Sequence, residues 1–433
     1  MFTMTDRVFQ LSGTCNNYPW GKHGHDSLAA RLCQKTTPDF QIDDTQPYSE
    51  LWFGDYPDFP ARILSTGEAL GTVLARNKET LLGDKVLTTL DPQLPFLPKI
   101  LSIAKALPLQ IHPDKTLAAQ LHAKDPSSFP DPNHKPEIAI ALSDFEVFAG
   151  FQPLSQIEPL FRHHPALHQF IPADAPHPWT NTTLRAVIHA LLHADPATIH
   201  QTQHALLHRP TPNPAPSNDP SNDPTQPPQI NTTLLTRLQT QYPPDANNNP
   251  DPGTLVALTT LNFLTLSPGS ALYIPADAPH AYLSGDIVEC MARSNNVLNA
   301  GFCDPSQRVQ NNKNLEVFTE ALTFSQAHSR QDVMLPSTVS KRGKRGRIQV
   351  YQPPMREFEM LRVELGGNPG EEEEEEMEAG DGPGVMIVTK GKGKMEADGK
   401  VMELAEGSIW FVAPGVGVKW KAEGEMEVFM AVV

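Results

Sequence analysis

The stretch Leu109–Lys115, LQIHPDK, interrupts an otherwise apolar segment and determines how the first half of the chain folds. Gln110 and His112 stand two apart, so on a strand their side chains point to the same side. Pro113 ends the strand, and Asp114 is a suitable N-cap for a short helix from Lys115 to about residue 123. A buried polar pair needs partners, so we expect other polar side chains to meet this one.

Two other phrases supply candidate partners. NHKPE places Glu137 at the start of the alternating strand EIAIAL, and IPADAPHAY places His280 after a proline-rich turn that leads into a strand. With Gln110 and His112 they form a set of nitrogen and oxygen ligands that suits Zn²⁺ or a similar divalent cation. The residues alone leave a second interpretation open, in which His112 caps a turn and His280 is an ordinary buried histidine.

A second group of histidines recurs every four residues. His200, His204 and His208 therefore share one face of a helix. Three imidazoles in a row can bind a metal, but no carboxylate or thiol lies nearby in sequence. We interpret this row as a solvent-facing stripe.

Changes in hydrophobic pattern divide the chain and predict a mainly β protein with an α insertion. We expect a β domain in two parts, residues 1–152 and 254–325, separated by a helical insertion at 153–253. A connector at 326–348 leads to a C-terminal β domain at 349–433. The Pro/Asn-rich tract at 209–230 contains few apolar residues, so we expect it to be disordered and dispensable.

The two β domains contain a similar phrase. LSPGSALYIPADAPHAY and LAEGSIWFVAPGVGVKW each have a Gly-Ser turn, an apolar strand, a proline and a turn into the next strand. This repetition predicts two related β-sandwich or barrel folds in one chain.

Charge and composition limit the possible partners. The formal net charge of −16 argues against nonspecific nucleic-acid binding, and no apolar run approaches the length of a membrane span. The N-terminus lacks a signal-peptide core, and the four cysteines have no paired spacing, so we expect a cytoplasmic protein. We interpret the basic run Lys341–Arg347 as a solvated connector and the acidic run Glu371–Glu376 as a charged loop.

Several longer phrases occur together: NYPWGKHG, SELWFGDYPDFPARI, LPFLPKILSIAKALPLQIHPDKTLAAQLH, NHKPEIAIALSDFEVFAGF, GSALYIPADAPHAYLSGDIVECMARSNNVLNAGF and YQPPMREFEM. In this combination the sequence resembles the type I phosphomannose isomerases over nearly its whole length, apart from the Pro/Asn-rich tract. The resemblance implies a cupin-type β core, an inserted helical domain and a C-terminal cupin-like domain. It also implies an enzyme that interconverts mannose 6-phosphate and fructose 6-phosphate and so supplies mannose precursors for GDP-mannose and glycosylation. We expect the protein to be a monomer.

The resemblance further implies one zinc ion per chain, with Gln110, His112, Glu137 and His280 as ligands. The side chains that match the family's substrate pocket are Trp20, Glu50, Lys99, Lys135, Tyr282 and Glu289. Moving a proton between C1 and C2 of a sugar requires a nearby acid–base group, for which Glu289 is a candidate and Lys135 a possible assistant. The alternative role of Glu289 is structural, as the partner of Lys99 or Lys135.

One motif departs from the family pattern. The family reads approximately S-D-N-V-V-R-A-G-L-T-P-K-F where this chain has SNNVLNAGFCDPSQ. Asn299 therefore stands at the position of the family arginine; the other changed positions are Asn295 for aspartate, Pro305 near a lysine, and Pro108 for serine. Arg293 and Arg308 are nearby cations at other positions.

Three functions follow from these observations. The first is the sugar-phosphate isomerase, and the second is a divergent member that acts on another sugar or serves as a non-catalytic sugar-binding or regulatory protein. The third is a cupin oxygenase that uses Fe²⁺ held by two histidines and one carboxylate. The carboxamide ligand and the near full-length resemblance argue against the third.

Overall fold

A computed structural model describes residues 6–208, 229–304, 307–308, 313–324, 329–366 and 373–433. Most of the tract predicted to be disordered, together with Pro305, Glu371 and Glu372, lies outside the described residues.

The chain forms antiparallel sheets. Along the sequence, a block of helices separates β10 from β11 of the first sheet. The strands are β1 (Val8–Ser12), β2 (Thr14–Asn16), β3 (Lys22–His23), β4 (Pro47–Tyr48), β5 (Glu50–Trp52), β6 (Arg62–Ile63), β7 (Phe96–Ile103), β8 (Leu109–Ile111), β9 (Glu137–Ala141), β10 (Phe145–Phe151), β11 (Leu261–Leu266), β12 (Ala271–Ile274), β13 (His280–Ala292), β14 (Leu298–Gly301), β15 (Thr338–Val339), β16 (Ile348–Tyr351), β17 (Glu359–Leu365), β18 (Glu374–Met377), β19 (Gly384–Ala397), β20 (Lys400–Ala405), β21 (Ile409–Val412) and β22 (Val418–Val432). The helices are α1 (Leu28–Thr36), α2 (Leu70–Arg76), α3 (Lys78–Leu81), α4 (Gly83–Thr89), α5 (Lys115–Lys124), α6 (Leu154–His163), α7 (Asn181–His193), α8 (Pro196–Leu207), α9 (Thr232–Gln241), α10 (Gly253–Thr260), α11 (Leu315–Ala321) and α12 (Arg330–Val333).

Strand β13 organises the first sheet. Residues from His280 to Ser284 pair with β10 and β8, and residues from Gly285 to Ala292 pair with β7 and β9. Gly285 lies at this change of partners with φ +119°, and a Cβ there would lie 2.5 Å from the carbonyl oxygen of Asp144. Only glycine fits this backbone and this close approach, so it allows one long strand to join two groups of strands.

The predicted strand–turn–helix at LQIHPDK is present. Leu109 to Ile111 form β8, and α5 begins at Lys115, with the Asp114 side chain accepting a hydrogen bond from the Leu117 amide at 2.7 Å. The turn after β8 is held by Asp277, whose side chain accepts from the Asp114 amide at 3.1 Å. Two aspartate side chains therefore satisfy backbone amides where the turn enters the helix.

The helices between Leu154 and Thr260 pack on one apolar core with part of β10 and β14. The second part of the β domain, which we predicted from residue 254, starts with a helix instead of a strand, because Gly253–Thr260 is helix α10 and β11 begins at Leu261. Every residue of α10 is buried. A helix that is buried on every side shows no amphipathic period, so the pattern alone could not distinguish it from a strand.

The second large sheet has the order β15-β16-β17-β22-β19-β21-β1-β6, with β18 on β22 and β20 on β19. Two strands of the segment 1–152, which we assigned to the first domain, lie in this second sheet, because β1 pairs with β21 and β6 pairs with β1. Phe9 stacks on Phe411 with ring centroids 4.8 Å apart. The connector predicted at 326–348 also contributes β15 to this sheet. Nonlocal strand pairing leaves no mark in local hydrophobic alternation.

The two charged runs contact each other, which neither local interpretation predicted. Glu374–Met377 is strand β18 rather than a loop, and Glu375 is fully buried. Its carboxylate accepts hydrogen bonds from the backbone amides of Arg345 at 2.8 Å and Arg347 at 2.6 Å. Ion pairs join Lys344 to Glu376 and Arg345 to Glu374. The basic run is thus fixed against β18 rather than freely solvated.

Among the described residues, none of the helices combines the length and the apolar character that crossing a bilayer requires.

Candidate metal centre and active site

Three ligand-type side chains converge inside the first sheet. Nε2 of His112 lies 3.3 Å from one carboxylate oxygen of Glu137, and Nε2 of His280 lies 3.2 Å from the other. The two imidazole centroids are 5.0 Å apart, and all three side chains are at most 2% exposed. His112 follows β8, Glu137 begins β9 and His280 begins β13, so three strand ends assemble the group.

Backbone carbonyls orient both imidazoles. Nδ1 of His112 donates to the Asn296 carbonyl at 2.9 Å, and Nδ1 of His280 donates to the Ala278 carbonyl at 3.0 Å. With Nδ1 protonated, each neutral ring has its lone pair on Nε2. Both Nε2 atoms are buried and have no hydrogen-bond partner, although they lie near Glu137. Buried polar atoms without partners that surround a common point fit a bound cation.

Electrostatics also favour this ligand form. Burial, followed by the charge of Lys135, lowers the pKa of His112 to about 4, so the ring is neutral at physiological pH. Burial would raise the pKa of Glu137, but the adjacent imidazoles lower it well below its ordinary value. A metal requires neutral imidazole and ionised carboxylate, which are the forms that His112 and Glu137 hold.

Gln110, the fourth predicted ligand, is brought to the same place by strand pairing. It lies directly opposite His280 in the β8–β13 pair, and it is also the register partner of Asn299 on β14. The half-buried carboxamide is therefore adjacent to the His–Glu–His group. Its position is compatible with a role as an oxygen ligand.

A second buried group of charges lies beside the metal ligands. Lys99 on β7 is the cross-strand partner of Glu289 on β13, with Nζ 3.1 Å from that carboxylate and 3.8 Å from Glu50. The Lys99 ammonium also lies 4.5 Å from the centre of the Trp52 ring. Burial opposes the charge of Lys99, but Glu50 and Glu289 raise its pKa above the ordinary value. Lys99 is thus a permanent cation at the centre of the site.

Glu289 differs from Glu137 although both are fully buried carboxylates. Burial raises the pKa of Glu289 to about 7; Lys99 opposes this rise, and the negative charge of Glu137 adds to it. A carboxyl group with a pKa near neutrality can both accept and return a proton at physiological pH. Lys135 is also buried, and burial followed by repulsion from Lys99 lowers its pKa.

The remaining predicted pocket residues lie around the same centre. The Tyr282 hydroxyl donates to Glu137 at 2.7 Å, which orients the carboxylate. Trp20 packs in the same apolar cluster as Tyr282 and stacks on Tyr18 at 5.9 Å. Glu50 accepts from the Asn16 carboxamide at 3.2 Å and from the Trp52 indole. Asn16 and Trp52 were not predicted to belong to the site. Both lie on short strands, where a single polar or aromatic residue does not distinguish a site residue from any other.

The cations near Asn299 in sequence are engaged elsewhere. Arg293 is paired with the buried Asp55, and its guanidinium lies 5.2 Å from the centre of the Tyr56 ring. Arg308 donates to the carbonyls of Asn249 at 2.9 Å and Pro243 at 3.0 Å. The buried Oδ1 of Asn299 itself has no hydrogen-bond partner. Arg293 and Arg308 are therefore held by other partners and neither is free to replace the family arginine.

The row of His200, His204 and His208 lies on α8 and its C-cap, and all three side chains are exposed. Within the described part of the chain, no carboxylate or thiol joins them in a cluster of metal-binding geometry.

A buried pair of histidines and a carboxylate at the ends of antiparallel strands defines a candidate divalent-metal centre in a mainly β protein. A family model described as the catalytic domain of type I phosphomannose isomerase matches residues 8–154. The mannose-6-phosphate isomerase of Schizosaccharomyces pombe is 32% identical over 426 residues, which cover 96% of this chain and 97% of that protein. The enzyme of Saccharomyces cerevisiae is 33% identical, over 98% and 97% of the two chains.

Solved structures show the same fold. The mannose 6-phosphate isomerase of Salmonella typhimurium, bound to its substrate fructose 6-phosphate and to zinc, superposes with a TM-score of 0.74 at 22% identity, over 98% of this chain and 99% of that one. The chain belongs to the type I phosphomannose isomerase family. This membership argues against the oxygenase hypothesis.

Proposed function

We propose that this protein is a zinc-dependent isomerase that interconverts mannose 6-phosphate and fructose 6-phosphate. The observation that carries the proposal is the pair of buried Nε2 atoms, on His112 and His280, that face Glu137 without hydrogen-bond partners. Support comes from relatives of this name that match along nearly the full length. We infer that the product feeds mannose precursors to GDP-mannose.

The metal ligands that we propose are Gln110, His112, Glu137 and His280, holding one zinc ion per chain. Zinc in this position would supply Lewis acidity that polarises the carbonyl and hydroxyl oxygens of the sugar. Tyr282 and the carbonyls of Asn296 and Ala278 position the ligands, because each fixes the orientation of one ligand side chain.

Glu289 is the group that we assign to proton transfer between C1 and C2. Its pKa of about 7 allows it to remove a proton from one carbon and return it to the other. Lys99 holds the Glu289 carboxylate at 3.1 Å and stabilises it in the ionised form. We assign Lys135 to assisting this transfer, since its lowered pKa makes it a better proton donor than an exposed lysine. Trp20, Glu50, Lys99 and Tyr282 would line the sugar pocket.

Asn299 shapes the activity that we expect. A neutral carboxamide at the position of the family arginine removes a charge-assisted contact to an anionic substrate. We therefore propose a mannose-6-phosphate isomerase with a lower rate than relatives that carry the arginine. None of the four cysteines forms a disulfide bond, which supports a cytoplasmic location.

A coupled assay with a panel of sugars tests the proposal. Zinc-loaded protein should convert mannose 6-phosphate to fructose 6-phosphate, and glucose 6-phosphate and unphosphorylated mannose should give at least tenfold lower kcat/KM. Turnover of another sugar phosphate in preference to mannose 6-phosphate would contradict the proposed substrate, and no turnover of any aldose phosphate would contradict the isomerase itself.

A further inference from the structure

A second group of ligand atoms lies on the surface where α7 meets α11. His189 and His193 are one turn apart on α7, and Glu316 comes from the first turn of α11. Nε2 of His189 lies 3.2 Å from Oε1 of Glu316, and Nε2 of His193 lies 3.3 Å from the same oxygen. All three ligand atoms lie within 4.8 Å of one another. Two imidazoles from one helix thus face a single carboxylate oxygen from another.

These separations match the edges of a metal coordination shell. Zinc bonds of about 2.0–2.1 Å in a tetrahedral arrangement place neighbouring ligand atoms about 3.3–3.5 Å apart. The buried centre has 3.3 and 3.2 Å between its imidazole nitrogens and Glu137. The surface group therefore reproduces both the donor types and the nitrogen–oxygen spacing of the buried centre.

One imidazole of the surface group is also held in the form that binds metal. Nδ1 of His193 donates to the His189 carbonyl at 3.0 Å, which leaves the lone pair on Nε2. The two rings stack with centroids 4.0 Å apart and an interplanar angle of 17°. Of the two contacts with Glu316, only that of His189 has hydrogen-bond geometry, so Nε2 of His193 faces the carboxylate oxygen without a hydrogen bond to it.

Arg185 holds the two helices in register. From α7 its guanidinium donates to the Glu320 and Leu322 carbonyls at 2.7 Å each, and also to the Thr319 carbonyl. These carbonyls lie at the C-terminal end of α11, where a helix leaves carbonyls without partners. The Glu316 backbone is thereby placed opposite His189 and His193 before any ion binds.

We propose that His189, His193 and Glu316 form a second divalent-cation site, for zinc or a similar ion that prefers imidazole. Their side chains are 45%, 32% and 63% exposed, so the site is open to solvent and binds its ion more weakly than the buried centre. An ion there ties α11, which follows the strand that carries Asn299, to the helical insertion. The site lies outside the catalytic group and is independent of the isomerase function.

The helix that follows α7 provides a matched control. His204 and His208 also stand four apart and stack, with centroids 3.9 Å apart, and Nδ1 of His208 donates to the His204 carbonyl at 2.9 Å. No carboxylate completes this pair among the residues that the structure describes. The two histidine pairs therefore share their spacing, their stacking and the hydrogen bond from Nδ1, and they differ in the presence of a carboxylate.

Zinc titration of the protein tests the proposal. Calorimetry and metal analysis of the holoprotein should show a second, weaker zinc per chain, and excess zinc should raise Tm by mass action. His193→Ala and Glu316→Gln should each lower the affinity for this second ion at least about tenfold, since each removes a direct ligand. His204→Ala should leave both ions in place.

Because all the substituted side chains are on the surface, each variant should fold and keep its isomerase rate, which the coupled assay verifies. Absence of a second zinc in the native protein would overturn the proposal. So would a second zinc that keeps its affinity in both His193→Ala and Glu316→Gln, or one that is lost equally in His204→Ala.

Discussion

At the scale of single residues, the site separates two buried carboxylates by their surroundings. Glu137 faces two imidazoles and has a pKa well below its ordinary value. Glu289 lies 3.1 Å from Lys99, yet burial still raises its pKa to about 7. Two carboxyl groups with such different proton affinities suit different tasks, so Glu137 is suited to hold a cation and Glu289 to carry a proton.

Glu289→Gln tests this division directly. The amide keeps the size of the side chain but cannot accept a proton, so kcat should fall about 10²- to 10⁴-fold. Zinc content should stay at the native value, because Glu289 is not a proposed ligand. Isomerase assays and metal analysis of the same preparation check both results. Native activity in this variant would show that another group carries the proton.

The same substitution should change how stability depends on pH. In the unfolded chain Glu289 loses its proton near its ordinary pKa of 4.5, whereas in the folded protein it does so at about 7. Between these two pH values the carboxyl group ionises only in the unfolded state, which favours unfolding. The contribution of Glu289 to stability is therefore present below pH 4.5 and is lost as the pH rises through 7. Glutamine does not ionise, so Glu289→Gln does not lose stability in this way.

Zinc-free Glu289→Gln should therefore gain stability relative to the zinc-free native protein, by on the order of 3 kcal/mol between acid and mildly alkaline pH. Denaturant unfolding of both proteins at the two pH values measures the difference. An effect that is the same at both pH values would contradict the raised pKa.

Asn299→Arg should increase the rate with mannose 6-phosphate. A charge-assisted contact inside a closed site is worth roughly 2–4 kcal/mol of transition-state binding, or about 30- to 1,000-fold. Since Arg293 and Arg308 are engaged with other partners, we expect a rise in kcat/KM of at least tenfold under saturating zinc. Asn299→Gln, which adds length without charge, is the control. A native rate that Asn299→Arg leaves unchanged or lowers would contradict this assignment.

The sequence indicated some parts of the site and not others. His112, Glu137 and His280 could be predicted because their phrases are distinctive and their donor types suit one metal. The carbonyls of Asn296 and Ala278 could not, because a backbone carbonyl is the same whatever residue supplies it. The pKa of Glu289 also depends on burial and on neighbours distant in sequence, so its chemical role required the structure.

At the scale of elements, the sequence predicted structure that depends on neighbouring residues and did not predict structure that depends on contacts between distant parts of the chain. The turn and helix after LQIHPDK follow from Pro113 and Asp114, which act on their immediate neighbours. Helix α10 and the placement of β1 in the C-terminal sheet were not predicted, since both depend on what surrounds the element. The ion pairs between the two charged runs were not predicted either, because partners about thirty residues apart show no periodic signal.

Phe9→Ala tests the placement of β1. Phe9 is 5% exposed and stacks on Phe411 of β21, so its removal leaves a cavity between the N-terminal strand and the C-terminal sheet. We expect a loss of about 3–5 kcal/mol in unfolding free energy, measured by denaturant titration. Val401→Ala in β20 is the control, because Val401 is 63% exposed and should change stability by less than about 0.5 kcal/mol. A loss no larger than that of the control would contradict the pairing.

At the scale of the whole molecule, the chain forms two large antiparallel sheets. The second sheet includes β1 and β6 from the N-terminal part of the chain, and a helical block is inserted in the first. The sequence predicted the mainly β class, the helical insertion and, through the repeated Gly-Ser phrase, the second β domain. The sequence could not give the exact domain boundaries, because they depend on which sheet each N-terminal strand joins. The monomeric state stays a prediction, which sedimentation of the native protein can test.

Zinc reconstitution tests the central claim most directly. Protein stripped of metal with a chelator should have no mannose-6-phosphate isomerase activity, and one equivalent of Zn²⁺ per chain should restore the full rate, because the buried centre binds more tightly than the surface group. His280→Ala should not regain activity at one equivalent, whereas His204→Ala should behave like the native protein. Full activity in the metal-free protein, or full restoration of His280→Ala at one equivalent, would contradict the account.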